Sequence, residues 1–214
     1  MPRLAAALVA LVAWAGLGIQ FSATLALTGS AGEALFVILR YFTVLTNLLV
    51  ALVTTALALG RRVPPFVLAG TTIAILLVGI VYMLLLRGLV ELSGGAETAD
   101  TLLHKVVPPL VAAYWLAFAP KGELRWSYPA LWSAYPFFYL VYALIRGAFE
   151  GRYAYPFIDV ATLGPARTAL NSIAIAIGFL IAGTLMVALD RLLARRRGLP
   201  GPERRIVAGQ DRSP

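Results

Sequence analysis

"LFVILRYFTVLTNLLVALVTTALAL", residues 35–59, is long enough to cross a bilayer, whose hydrocarbon core of about 30 Å takes roughly 20 helical residues. Within it lies "RYFTVLTN", residues 40–47, and an arginine, two threonines and an asparagine are costly to keep in lipid. In a continuous helix Arg40, Thr43 and Asn47 stand at i, i+3 and i+7 and share one face. That face is either packing or chemistry, and the rest of the chain has to decide.

Composition sets the class. The 214 residues are 60% hydrophobic and 13% charged, with a mean hydropathy of +0.84, which describes a chain whose solvent is mostly lipid. The absence of cysteine removes disulfides, thiolate catalysis and Cys-based metal sites. A single histidine, His104, leaves too little for a multi-histidine metal or bis-histidine haem site, so no cofactor is expected. The net charge of +8 does not point to nucleic acid, because the basic residues collect at helix ends and in the tail, where membrane topology explains them.

Six apolar stretches are long enough to span, near 4–27, 35–59, 66–87, 101–119, 129–147 and 167–190. "TGSAGE" (28–33), "GRRVPP" (60–65), "ELSGGAETAD" (91–100), "APKGELRWSYP" (119–129) and the connection around "EGRYAYPFIDV" (150–160) separate them. The expected architecture is an all-α, six-transmembrane-helix bundle over residues 1–190, followed by a basic, disordered cytoplasmic tail over 191–214. The first span has the order of a signal peptide, but its apolar run is too long for one. Arg3, Arg61, Arg62, Lys121, Arg125 and the tail arginines fall on one side if both termini are cytoplasmic, with the acidic 91–100 segment on the other.

That topology puts Gln20, Arg40, Thr43, Asn47, His104, Tyr142, Arg146 and Asn171 in the outer half, with Thr43 on the order of 10 Å below the start of its helix. Each has a plainer role: a threonine returns its hydroxyl to the preceding turn, an arginine snorkels, a tyrosine joins an interfacial belt. Together they define a shared polar cavity. Pro108 and Pro109 withhold amide hydrogens from the carbonyls of His104 and Lys105, which predicts a kink beside the histidine. Tyr135, Tyr139, Tyr142 and Arg146 form a polar-tipped stripe, either pocket wall or hydroxyl-bonded helix packing.

"RYFT" in the second span, "LLHKVVPPL" in the fourth, "YPFFYLVY" in the fifth and the "YPFIDV" loop together resemble the multipass membrane threonine hydrolases that include the androgen-induced and androgen-dependent proteins of animals and bacterial relatives. The resemblance covers about residues 4–190 and implies a bacterial cytoplasmic-membrane hydrolase of fatty-acid esters of hydroxy fatty acids. It implies Thr43 of "RYFT" and His104 of "LLHK" as the essential pair. The interval between the two is shorter here than in the animal proteins, which bears on the substrate more than on the mechanism.

The pair makes chemical sense, since a threonine hydroxyl becomes a nucleophile when neutral imidazole takes its proton. Arg40, Asn47 and Tyr142 are candidate oxyanion or substrate donors, with Arg146 and Asn171 at the same level. For the carboxylate that orients His104 the expectation is Asp159 of "YPFIDV", because no acid lies within the fourth span as drawn. The aromatic 147–166 connection is a candidate lid, and the partners are a lipid-like ester and membrane lipids. A lipid- or small-molecule-binding protein or transporter component is the alternative, as the same pocket needs no reaction. A redox or haem protein comes last.

Overall fold

The computed structural model describes residues 1–197; 198–214, most of the predicted tail, lie outside the described residues. Helices make up the fold, with no strand among the described residues. Four are long and apolar enough to cross a membrane: α1 (Pro2–Thr28), α4 (Pro65–Val81, extended by a π-helical turn to Leu86), the continuous helix Gly94–Phe118, and α9 (Val160–Arg196). A fifth crossing is possible if α2 (Ala31–Ile38) and α3 (Phe42–Ala58) count as one span. The Gly94–Phe118 helix comprises α5 (Gly94–Asp100), a π-helical turn (Thr101–Val106) and α6 (Val107–Phe118). Short α7 (Tyr128–Trp132) leads into α8 (Ala134–Glu150).

Three expectations are corrected. The second span is not one helix: it breaks at residues 39–41, and α2 and α3 meet at 98°. Arg40 therefore precedes α3 instead of sharing its face with Thr43 and Asn47, and Thr43 lies in the first turn of α3, not 10 Å down a helix. The fourth span begins at Gly94, because "GGAETAD", which reads as a loop from its paired glycines, is helical. The last helix continues to Arg196, so the tail begins later than residue 191, and at its other end Gly164 (φ 74°) and Pro165 interrupt the ladder.

Small residues set the packing around the histidine. Ala6, Ala10, Ala13 and Gly16 recur at helical spacing on the buried face of α1, which lies along α3. At Gly16 a Cβ would fall 2.7 Å from a Leu103 methyl carbon, and at Gly79 of α4 one would fall 3.1 Å from Pro108 and 3.4 Å from the His104 carbonyl oxygen. Two glycines thus let neighbouring helices close on the turn that carries His104. At the far end of the bundle the 119–127 loop is fastened to α9. Buried Asp190 accepts from the amides of Gly122 (2.9 Å) and Leu124 (3.1 Å). Lys121 donates to the carbonyls of Trp115 (2.6 Å) and Ala119 (2.8 Å).

Candidate active site

The break at 39–41 leaves helix-end carbonyls that a buried environment must satisfy. The polar stripe of α8 does so. Tyr139 donates to the Arg40 carbonyl (2.9 Å), Tyr142 to the Leu39 carbonyl (3.2 Å), and Arg146 to the Phe36 carbonyl. Tyr135 and Thr46 join hydroxyls at 3.1 Å. Glu150 receives both Arg40 and Arg146, and the Arg146 guanidinium lies 4.0 Å from the centre of the Phe36 ring. Of the predicted donors, Arg40, Tyr142 and Arg146 are thus engaged in holding the break, and none lines the cavity described below.

Because α3 starts at Phe42, the amides of Phe42 and Thr43 lack backbone acceptors among the described residues, whereas those of Val44 and Leu45 reach the Tyr41 carbonyl, and the partial positive charge of the helix end gathers at Thr43. The Thr43 amide donates to the Tyr155 hydroxyl (3.4 Å). Thr43 Oγ1 lies 3.1 Å from His104 Nε2. On the far side of the ring, His104 Nδ1 lies 3.1 Å from Asp100 Oδ1 and 3.1 Å from the Asp100 carbonyl oxygen. Two acceptors at Nδ1 place the neutral ring's proton there and leave the Nε2 lone pair facing the threonine hydroxyl. Asp100 Oδ2 in turn accepts from Tyr82 (2.6 Å) and Lys105 (3.2 Å), and the Tyr82 ring stacks on the imidazole with centroids 4.3 Å apart at 22°.

The orienting carboxylate is therefore Asp100, on the histidine's own helix, and not Asp159. Asp159 caps α9, accepting from the Thr162 amide (3.1 Å) and hydroxyl (3.0 Å). The signal for Asp100 was its i−4 spacing in "DTLLH", hidden by the glycines just before it. Glu150 carried a signal in its i+4 spacing from Arg146, though its second partner, Arg40, is remote in the sequence; Tyr82 had none, since Asp100 and His104 are distant from it.

Pro108 and Pro109 produce a π-helical turn around His104: the Val107 amide reaches back five residues to Leu102. The Leu103 carbonyl, facing a proline nitrogen without a hydrogen, accepts instead from Asn47 Nδ2 at 3.3 Å. Asn47 also donates to the Thr43 carbonyl (2.9 Å). Fully buried, with its amide engaged on backbone carbonyls, Asn47 ties α3 to the histidine's turn and has no hydrogen to offer an oxyanion. Gln20 turns to Thr24 on its own helix (3.2 Å), away from this cluster.

Thr43 forms part of the wall of a cavity of about 230 Å³ between α3, α4, α8 and α9. Its lining is overwhelmingly apolar, including Leu77, Val81, Phe137, Ile175 and Phe179, while Tyr139 and Tyr155 stand on the threonine side. His104 is behind Thr43 and does not line it. The 3₁₀ turn Pro156–Ile158 closes one side, held by Asn171 Nδ2 donating to the Phe157 carbonyl (3.0 Å). Asn171 therefore positions the covering segment and does not reach the threonine. Tyr155 and Phe157 stack at 5.1 Å and 5°. Burial raises the Tyr155 phenol above its ordinary pKa, so it keeps its proton. Among the described residues no group of three or more His, Cys, Asp or Glu could hold a metal ion.

Compared with known proteins, the chain matches no family model, no curated protein and no solved structure.

Proposed function

We propose that this protein is a membrane-embedded hydrolase of lipid-like carboxylic esters, with Thr43 as nucleophile, His104 as base and Asp100 as the acid that orients the imidazole. One observation carries the reading: a threonine hydroxyl 3.1 Å from an imidazole nitrogen, on the wall of an apolar cavity. In the proposed reaction Nε2 takes the Thr43 proton as Oγ1 attacks the ester carbonyl, and Asp100 stabilises the imidazolium. The leaving alkoxide takes that proton, and water activated by the same histidine releases the acid from Thr43. The amino end of α3 favours the negative charge that develops at Oγ1 and the carbonyl oxygen.

An apolar cavity suits a fatty acyl chain, and the resemblance to the membrane threonine hydrolases supports fatty-acid esters of hydroxy fatty acids as the substrate class. We further infer six crossings in a bacterial cytoplasmic membrane, counting α2–α3 and α7–α8 as one each, with both termini cytoplasmic. The asymmetry of Lys and Arg supports that orientation.

The deciding experiment is covalent labelling of the purified protein by a fluorophosphonate probe, with the modified residue located by mass spectrometry and turnover of a fatty ester measured alongside. Label on Thr43, and loss of both label and turnover in Thr43→Ala, are the expected results. Turnover that persists in Thr43→Ala would eliminate the nucleophile assignment, and neither label nor turnover in the wild-type protein would leave the lipid-binding alternative, for which the cavity alone suffices. A reporter fused after Arg197 should be cytoplasmic, and an outward-facing reporter would overturn the orientation.

A further inference from the structure

We propose that Tyr155 is a catalytic residue of this site, whose phenol donates the hydrogen bond that holds the tetrahedral oxyanion formed when Thr43 attacks an ester carbonyl. The proposal rests on the hydrolase reading above and assigns its missing donor.

The first argument is position. The Tyr155 oxygen accepts from the Thr43 amide at 3.4 Å and also interacts with the Phe42 amide and the Thr43 hydroxyl, and its ring lines the cavity on the threonine side. In the tetrahedral intermediate the oxyanion is bonded to the same carbon as Oγ1. A donor already beside Oγ1 reaches it with little movement, as preorganised stabilisation requires.

The second argument is that the other candidate donors are committed or lie off the cavity. Tyr139 and Tyr142 give their hydrogens to the carbonyls of Arg40 and Leu39, and Asn47 donates to two carbonyls. Arg40 is paired with Glu150 through a terminal nitrogen, and although its buried Nε has no partner among the described residues, its side chain does not line the cavity. The Tyr155 hydrogen is assigned to no carbonyl, and the Thr43 hydrogen faces His104. The ring cannot swing freely, being stacked on Phe157 and set edge-on to Tyr41 at 6.0 Å. A phenol kept neutral by burial remains a donor under conditions where the imidazole is a base.

The third concerns delivery. Tyr155 belongs to the segment between Gly151 (φ 65°) and Gly164 (φ 74°), two backbone positions that favour glycine. A catalytic group on the covering segment makes turnover depend on that segment being seated, so chemistry waits for the cavity to be covered. In the step itself the Oγ1–carbon bond forms as the carbonyl π pair moves to oxygen, and the Thr43 proton passes to His104. Tyr155 lends a hydrogen bond without transferring its proton. The carbonyl then re-forms and the alkoxide leaves with the proton from His104.

The test compares wild type and Tyr155→Phe on a matched oxoester and thionoester. Sulfur is a poor hydrogen-bond acceptor, so an oxyanion donor makes the oxoester strongly preferred, and removing the donor shrinks that preference. Tyr155→Phe should lower kcat for the oxoester about 100- to 1,000-fold, with KM near the wild-type value and the oxo/thiono ratio reduced by a similar factor. Unchanged kcat overturns the proposal, and so does a lower kcat with the ratio intact, which marks a packing role. If Tyr155→Phe does not fold, Tyr155→3-fluorotyrosine keeps the hydroxyl and shifts its acidity. The ratio should then change, and an unaltered ratio overturns the assignment. Turnover that does not depend on Thr43 removes this proposal and the hydrolase reading together, whereas Thr43-dependent turnover with an unaltered ratio removes Tyr155 alone.

Discussion

Asp100 stands one helical turn before His104 and meets its Nδ1 with both the carboxylate Oδ1 and the backbone carbonyl, each at 3.1 Å. The opposite nitrogen faces Thr43 at 3.1 Å. In the proposed reaction the acid fixes the imidazole tautomer, and the tautomer fixes the direction in which a proton moves.

Asp100→Asn should lower kcat about 100- to 10,000-fold with little change in KM, because the asparagine amide donates to Nδ1, favours the Nε2–H tautomer and removes the lone pair that Thr43 needs. Asp159→Ala should leave kcat nearly intact while weakening the α9 cap by about 1 kcal/mol. Kinetics and thermal unfolding of the two variants side by side check this. The reverse ranking would return the orienting role to Asp159.

Thr43→Ala and His104→Ala should each reduce turnover about 1,000-fold or more, and the double variant should resemble either single one, since nucleophile and base act as a unit. Circular dichroism in detergent should show the helical signal retained. Additive losses would mean that the two side chains work independently.

The Arg40, Arg146 and Glu150 cluster predicts an order of stability. Glu150→Ala leaves two buried guanidinium groups without a counter-charge and should cost on the order of 3 kcal/mol, whereas Arg40→Leu leaves the Arg146–Glu150 pair and should cost less. Free-acid and neutral esters should be affected alike in Arg40→Leu. A KM rise confined to free acids would instead make Arg40 a substrate anchor.

Gly147 is where α8 receives the covering segment: a Cβ there would lie 2.2 Å from the Tyr153 ring. Gly147→Ala should push Tyr153 away, displace the segment that carries Tyr155, and lower kcat/KM by about 10- to 100-fold. Limited proteolysis should cut the 151–159 segment faster in the variant. Wild-type kinetics would show that this segment's seat does not govern turnover.

Lys121, in the 119–127 loop, has a pKa lowered to about 8 from 10.5 by burial first and then by Arg197, against the opposing pull of Asp190. The folded protein therefore releases this proton before the unfolded chain does, and Lys121 adds stability as pH rises from about 8 to 10.5. Lys121→Met should remove that contribution, so the Tm difference between wild type and variant should shift in favour of wild type across the window. A constant difference would refute the linkage.

The sequence by itself determined that this is an all-helical chain with membrane-crossing helices, because partition into lipid depends on the apolar content of each segment and needs no knowledge of neighbours. Thr43 of "RYFT" and His104 of "LLHK" stood out through the motif resemblance, whereas their residue types alone left plainer roles open. Only the tertiary structure decided how they are supported. Nothing local in "LFVILRYFT" announces a 98° break, because the carbonyls it frees are satisfied from α8, about a hundred residues away. For that reason Arg40, Tyr142 and Arg146, legible in the sequence as polar groups in lipid, stand at the helix break and do not line the cavity. Asp100 was overlooked because two glycines resemble a loop until tertiary packing makes them helical. Whether a polar residue faces a substrate or a carbonyl depends on which helix arrives beside it, and the long-range packing of the bundle decides that.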